Sequence, residues 1–351
     1  MLRINRNTSA LTVSLLFGLL SITSCGFDDG YDKEDTGDDN VKVAFRMAFV
    51  NDNTRAVNDG WEDYDPTDPG DTYENAINAD QLQIKICDKD GNIIGDVQDV
   101  RVIDDQITGT WENAGDLLKQ ANKIMVFANC GTDNVTQGNI SSLAFRVNDT
   151  KQYIPMWGVT TLTKDLVVGK QNNLGTIDLL RSLAKVKVKM AGKGSADGMK
   201  ARGYALGSIT FNNYNTEGYT LPLTYNTSKN TKEILFSSSL NAKSSWSQSV
   251  TMTNTTTDEE SIMLYIPEYD NKTAAADKKA SITLNLKCDG TDDGTYTLQF
   301  CNYVDGVADP STLYNIQRNH YYEYTVNKDD RLNVTLKVLK WNKRTHSEII
   351  M

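Results

Sequence analysis

The sequence predicts an all-β chain made of two tandem β-sandwich domains, Greek-key-like in their connections, with one or two short helices. Three observations carry that expectation. Short runs of alternating apolar and polar residues recur along the chain, which is the period of a strand with one buried face. Asp-Gly turns and Asn/Ser/Thr clusters separate these runs at the spacing of sandwich connections. Long helical periodicity is missing, and 351 residues suffice for two domains of ordinary size.

The N-terminal end stands outside the fold. In residues 1–24, Arg3 and Arg6 precede an apolar run, Ala10 to Leu20, that is too short to cross a bilayer. Ile22-Thr23-Ser24 then leads into Cys25, as in a bacterial lipobox, where Cys25 becomes a diacylated N-terminus. Several acyl chains would make that outer-membrane attachment stable, whereas one alone is marginal. Residues 25–40 form an acidic tether: Gly26 to Asn40 carries seven acids against one Lys, repels itself and buries nothing.

Residues 41–180 are expected to form the first domain. It opens with VKVAFRMAFV, in which Val41, Val43, Phe45, Met47 and Phe49 share one parity, while Lys42, Ala44, Arg46 and Ala48 share the other. A polar segment rich in Asp follows, with Arg55 its only basic residue, and reads as an exposed loop. Leu82, Ile84 and Ile86 alternate up to the turn DKDGN. Glu112 to Ala121 fits a short helix, and Lys123 to Ala128 a buried strand. Tyr153–Val159, Leu166–Val168 and Gly175–Leu179 complete the set.

Residues 181–351 are expected to form the second domain, opening with VKVKM at Val186–Met190. Strands are expected at Gly207–Asn213, Tyr219–Thr224, Glu233–Phe236, Ser249–Thr253, Ile262–Ile266, Ala280–Lys287 and Thr295–Cys301. The chain closes on Leu332, Val334, Leu336 and Val338, alternating with Asn333, Thr335 and Lys337. After Val338 the phase changes, because Leu339 and Trp341 lie on the other parity, and a bulge or a change of sheet would re-aim the strand there. The chain thus begins and ends with strands of similar length and pattern, and either fits the same apolar groove.

A net charge of −10 argues against nucleic acid, which needs a basic stripe. No catalytic, cofactor or metal motif is present: there are two histidines, His320 and His346, and no P-loop, G-x-S-x-G or H-E-x-x-H. His320, at the start of a strand, reads as a packing residue. Asp88-Lys89-Asp90-Gly91-Asn92 resembles the start of a calcium loop but has Ile93 where such a loop needs Gly, so a hairpin turn is the simpler reading. Trp61, Trp111, Trp157, Trp246 and Trp341 are scattered, as core aromatics are, rather than clustered as a sugar platform. Cys288 and Cys301 flank a DGTDDG turn at unequal distances, about 20 Å apart along the hairpin, which is too far to bridge. Cys87 and Cys130 each end an apolar strand, and free buried thiols are the expected state.

Several stretches, in order, resemble the fimbrillins of the type V pilus, the FimA-type major fimbrial subunit family. They are the lipobox Cys25, N-T-R-A around Arg55, LQIKICDKDG, LLRSLAKVKVKM, LYIPE at Leu264–Glu268, IQRNHYYEYTV, and the closing LNVTLKVLKW with its tail. The resemblance implies transthyretin-like sandwich domains and a lipoprotein precursor exported to the outer membrane. It implies cleavage by an Arg-specific protease between Arg55 and Ala56, release of the strand carrying Val41, Val43, Phe45, Met47 and Phe49, and its replacement by a strand from a neighbouring subunit. Leu332, Val334, Leu336 and Val338 are the donor candidates, with the tail past Trp341 as the other. The partners so implied are further fimbrial subunits, both copies of the chain and anchor and tip proteins, in a cell-surface fimbria serving adhesion. An anchor or tip component and a surface glycan-binding lipoprotein are the rival readings.

Overall fold

β-Branched and aromatic residues at alternate positions favour pleated, half-buried strands, and strands dominate the molecule. The computed structural model describes residues 39–49, 61–62, 74–103, 106–147, 153–225, 230–231, 234, 239–253, 260–341 and 348–350. These belong to one unit, Asp38–Met351.

The first strands are β1 (Val41–Phe49), β2 (Trp61–Glu62), β3 (Ala76–Asn78), β4 (Gln83–Cys87) and β5 (Ile93–Ile103). They are followed by β6 (Gln106–Trp111), β7 (Lys123–Ala128), β8 (Ala144–Arg146), β9 (Met156–Thr161) and β10 (Gln171–Arg181). Seven of them close into a barrel in the order β1-β10-β9-β7-β4-β5-β6. A sandwich was expected here, and the difference has one cause. β1 pairs antiparallel with β6, from Val41↔Trp111 to Phe45↔Ile107, and parallel with β10, from Lys42↔Gln171 to Phe49↔Leu179. A single strand therefore joins what would be two open sheet edges.

β7 reads KIMVFA and is buried at every position. Ile124, Val126 and Ala128 point into the barrel core, whereas Met125 and Phe127 join a second cluster with Val135, Ile140, Trp157 and Leu221. A continuous apolar run is what a strand covered on both faces requires. The DKDGN segment is the β4–β5 turn. Asp88 accepts hydrogen bonds from the backbone amides of Asp90 (2.9 Å) and Asn92 (2.8 Å) and from the Asn92 side chain (2.8 Å), and Gly91 takes φ 85°. The expected helix near Glu112–Ala121 is a 3-10 helix, Gly115–Gln120, and Leu166–Val168 is not a strand.

The later strands are β11 (Ala184–Met190), β12 (Tyr204–Asn215), β13 (Glu217–Tyr219), β14 (Trp246–Thr253), β15 (Ser261–Ile266) and β16 (Ser281–Cys288). After them come β17 (Thr291–Gln299), β18 (Asn302–Val304), β19 (Val307–Asp309), β20 (His320–Lys328), β21 (Leu332–Lys340) and β22 (Glu348–Ile350). The expected strand Tyr219–Thr224 thus shrinks to the end of β13, and most of Glu233–Phe236 lies outside the described residues. One sheet runs β15-β11-β20-β21-β2 and another β14-β12-β16-β17. Between them lies a shared core of Val186 and Val188 from β11, Tyr322, Tyr324 and Val326 from β20, and Val334 and Val338 from β21. Phe211 of β12 and Ile282, Leu284 and Leu286 of β16 meet these from the opposite sheet.

The barrel and the two-sheet half exchange elements. The two-residue β2 pairs with β21 at Val338 and Leu339, and β22 pairs in parallel with β3, Glu348↔Ala76 to Ile350↔Asn78.

Candidate functional site

The groove held by β1 is the most strongly built feature of the barrel. Val41, Val43, Phe45, Met47 and Phe49, which share one parity in the sequence, are all buried and all belong to the barrel core. Lys42 and Arg46 of the other parity are exposed. Ala44 is buried as well, next to an irregularity in the pairing with β10 that leaves Phe45 without a β10 partner. The entrance to the strand is tied by side chains: Asn172 donates to the Lys42 carbonyl at 2.9 Å, and the Asn113 amide donates to the Asn40 side chain at 2.9 Å.

The far end of β1 meets a buried polar node that joins the two halves. Glu74, fully buried, accepts from Lys185 Nζ at 3.0 Å, from Trp341 Nε1 at 2.7 Å and from the Tyr265 hydroxyl. Arg181, at the end of β10, donates Nε to the Glu74 carbonyl (3.0 Å), Nη1 to Asn319 (3.2 Å) and Nη2 to Asn75. Its guanidinium lies 4.3 Å from the centroid of the Phe49 ring and 5.0 Å from that of Trp341, and Trp341 stacks on Tyr265 at 5.6 Å. Two buried cations and a buried carboxylate persist because each has partners; removing one would leave a charge stranded in a low dielectric.

β21 is committed to its own sheet. It pairs with β20 along its whole length, Lys328↔Leu332 to His320↔Lys340, with no irregularity in register. Val334 and Val338 are buried in the two-sheet core, and Leu332 and Leu336 pack against it. The phase change after Val338 is neither a bulge nor a change of sheet. β21 runs straight on; its opposite face is exposed at Thr335 and Lys337 and becomes covered only at its end, where Leu339 is buried and Trp341 reaches the barrel core. The free edge of β21 is blunted by the β18–β19 hairpin, where the Val334 amide donates to the Gly306 carbonyl at 3.2 Å.

The titratable groups carry little reactivity. Burial pushes His320 down to about 3, against an ordinary 6.5, and its Nδ1 faces the Arg318 carbonyl at 2.7 Å. Burial pushes the Cys87 and Cys130 thiols up to about 12, and Cys87, Cys130, Cys288 and Cys301 are free. No group of three or more His, Cys, Asp or Glu side chains is arranged to hold a metal ion among the described residues.

The structure thus gathers Val41, Val43, Phe45, Met47 and Phe49 in one groove, and places Leu332, Val334, Leu336 and Val338 in a different core. Cys25, Arg55 and Ala56 lie outside the described residues. Sequence reasoning missed Glu74, Arg181 and Lys185. Lys185 continues the Lys187, Lys189 alternation that reads as a solvated face, yet it is fully buried; only its approach to Glu74, distant in sequence, reveals why.

No protein-family model matches the chain, and no curated sequence does. Among solved structures the chain is similar to the tip fimbrial protein Mfa3 from Porphyromonas gingivalis, truncated at its C-terminus. The TM-score is 0.51 at 13% identity, covering 86% of this chain and 100% of that one. It is also similar to a fimbrial assembly protein from Parabacteroides distasonis, with a TM-score of 0.46 at 12% identity, over 85% of this chain and 95% of that one. At such identities the likeness is one of fold.

Proposed function

We propose that the chain is a structural, non-enzymatic subunit of a cell-surface fimbria that serves adhesion and is assembled by strand replacement. In this reading it is exported as a lipoprotein acylated on Cys25 and cut by an Arg-specific protease between Arg55 and Ala56. β1 then leaves, and a strand of another subunit takes its place. The observation that carries the reading is β1 itself, a strand paired on both sides that fills the barrel core and is followed by a segment, residues 50–73, holding a single basic residue. The likeness of fold to a tip fimbrial protein and the lipobox support it.

The energetics suit a replaceable strand. Burying five such side chains stabilises by on the order of 10 kcal/mol at about 2 each. An empty groove is therefore intolerable for long, and a new occupant is held firmly. Donation in a line need not close on itself and yields a filament.

Of the two readings of its place in a fibre, an end position, tip or anchor, is favoured over a repeating stalk. Val334 and Val338 are built into the chain's own core, so donating β21 would strip one core to fill another. Farther along the chain, Ile349 and Ile350 of β22 are already paired with β3. The chain accepts a strand better than it gives one.

The test treats the soluble protein, starting after Cys25, with an Arg-specific protease, and follows mass and heat-sensitive ladders on gels. A cut after Arg55, lost in Arg55→Ala, is expected. A cut chain that captures a second subunit's strand without laddering alone marks an end position; a ladder lost on removing 342–351 marks a stalk. A chain that stays uncut, or is cut and never exchanges β1, sinks the reading.

A further inference from the structure

Phe49 is the last inward side chain of β1 and is fully buried. It pairs with Leu179 of β10, two residues before Arg181, so the register of β10 sets the guanidinium against this position. The guanidinium is held from behind by Glu74, Asn75 and Asn319, and one of its faces lies over the Phe49 ring at 4.3 Å. Among the described residues, no other β1 side chain has a cation over its ring. A desolvated guanidinium gains from the negative face of an aromatic ring and gains nothing comparable from an aliphatic chain of the same size.

We propose that the Phe49 position is an aromatic-selective seat which fixes the register of any strand lying between β6 and β10, and that the strand replacing β1 comes from a different polypeptide carrying a ring there. The inference rests on the strand-replacement reading above. The C-terminal donor candidates of a second copy do not meet the requirement. Sliding Leu332, Val334, Leu336 and Val338 along the groove in either direction brings Leu, Val, Lys340 or Asp330 to the seat. Trp341 lies on the wrong parity, and residues 342–351 contain no Phe, Tyr or Trp. The ligand is thus an extended peptide of alternating apolar residues ending in an aromatic anchor.

The experiment uses the full soluble chain with a site-specific protease sequence inserted between Val50 and Tyr73. The cut strand is displaced in urea, and the chain is refolded with excess labelled peptide. The peptides are Val41–Phe49 itself, the same with Phe49 replaced by pentafluorophenylalanine or by Leu, and Leu332–Lys340. Fluorination preserves shape and area but reverses the ring's quadrupole. The Phe peptide is expected to dissociate roughly tenfold more slowly than the fluorinated and Leu peptides. The Leu332–Lys340 peptide should dissociate at least as fast as the Leu one. In Arg181→Met the difference between the Phe and fluorinated peptides should vanish; if that variant does not fold, the comparison in the parent chain decides alone. Equal dissociation of the Phe and fluorinated peptides would overturn the aromatic seat while leaving strand replacement standing. Tight retention of Leu332–Lys340 would restore a second copy as the occupant. Failure of every peptide to bind would overturn strand replacement and the seat with it.

Discussion

His320 shows how a single residue's environment becomes a property of the whole chain. Its ring is buried, stacks on Tyr322 at 6.2 Å and faces the Arg318 carbonyl, while the Arg318–Glu268 ion pair (2.8 Å) lies alongside. Burial lowers its pKa to about 3, whereas the unfolded chain titrates near 6.5. Below about 6.5 the unfolded state therefore binds a proton that the folded state refuses. The stability contribution is complete above that value and falls as the pH drops toward 3, at about 1.4 kcal/mol per pH unit. Urea titrations of the parent and His320→Asn should show the parent losing about 2 kcal/mol more between roughly pH 7 and pH 5. Parallel pH profiles would mean that the ring is not buried as described.

At the scale of elements, the alternation of β1 makes a sharp prediction. Phe45 is buried in the barrel, so Phe45→Ala should cost about 3–5 kcal/mol in urea unfolding. Arg46, its exposed neighbour, should cost less than about 0.5 on replacement by Ala. Comparable losses would sink the assignment of faces. Both faces of β1 were legible in the sequence because the period of two survives any tertiary arrangement. So was β7, whose unbroken apolar run requires cover on both sides. Barrel closure was not legible, because it depends on β1 meeting β10, whose partner residues lie more than a hundred positions away, and nothing local encodes that pairing. The phase change after Val338 was visible but misassigned: the same pattern arises from a bulge or from a straight strand whose second face becomes covered only at its end. Lys185 went unremarked for a related reason, since an alternating lysine looks solvated until its carboxylate is found.

On the scale of the whole molecule, the question is whether the barrel and the two-sheet half unfold as one. Trp341, at the end of β21, belongs to the barrel core, and Glu74 ties it to Lys185 of β11. The node also holds Arg181 beneath Phe49, so the groove that would change occupants is coupled to the second sheet. Glu74→Gln leaves the Lys185 charge buried without its carboxylate and should cost about 3 kcal/mol or more. The pair Glu74→Gln with Lys185→Met removes both charges and should recover most of that loss, because a buried ion pair contributes little net stability over an apolar replacement. Urea unfolding followed by tryptophan fluorescence and by far-ultraviolet circular dichroism distinguishes the cases. If the halves are coupled, both signals shift together in Glu74→Gln and return together in the double variant. If the two signals separate, with only part of the change moving, the node merely fills space, and departure of β1 would leave the second half indifferent.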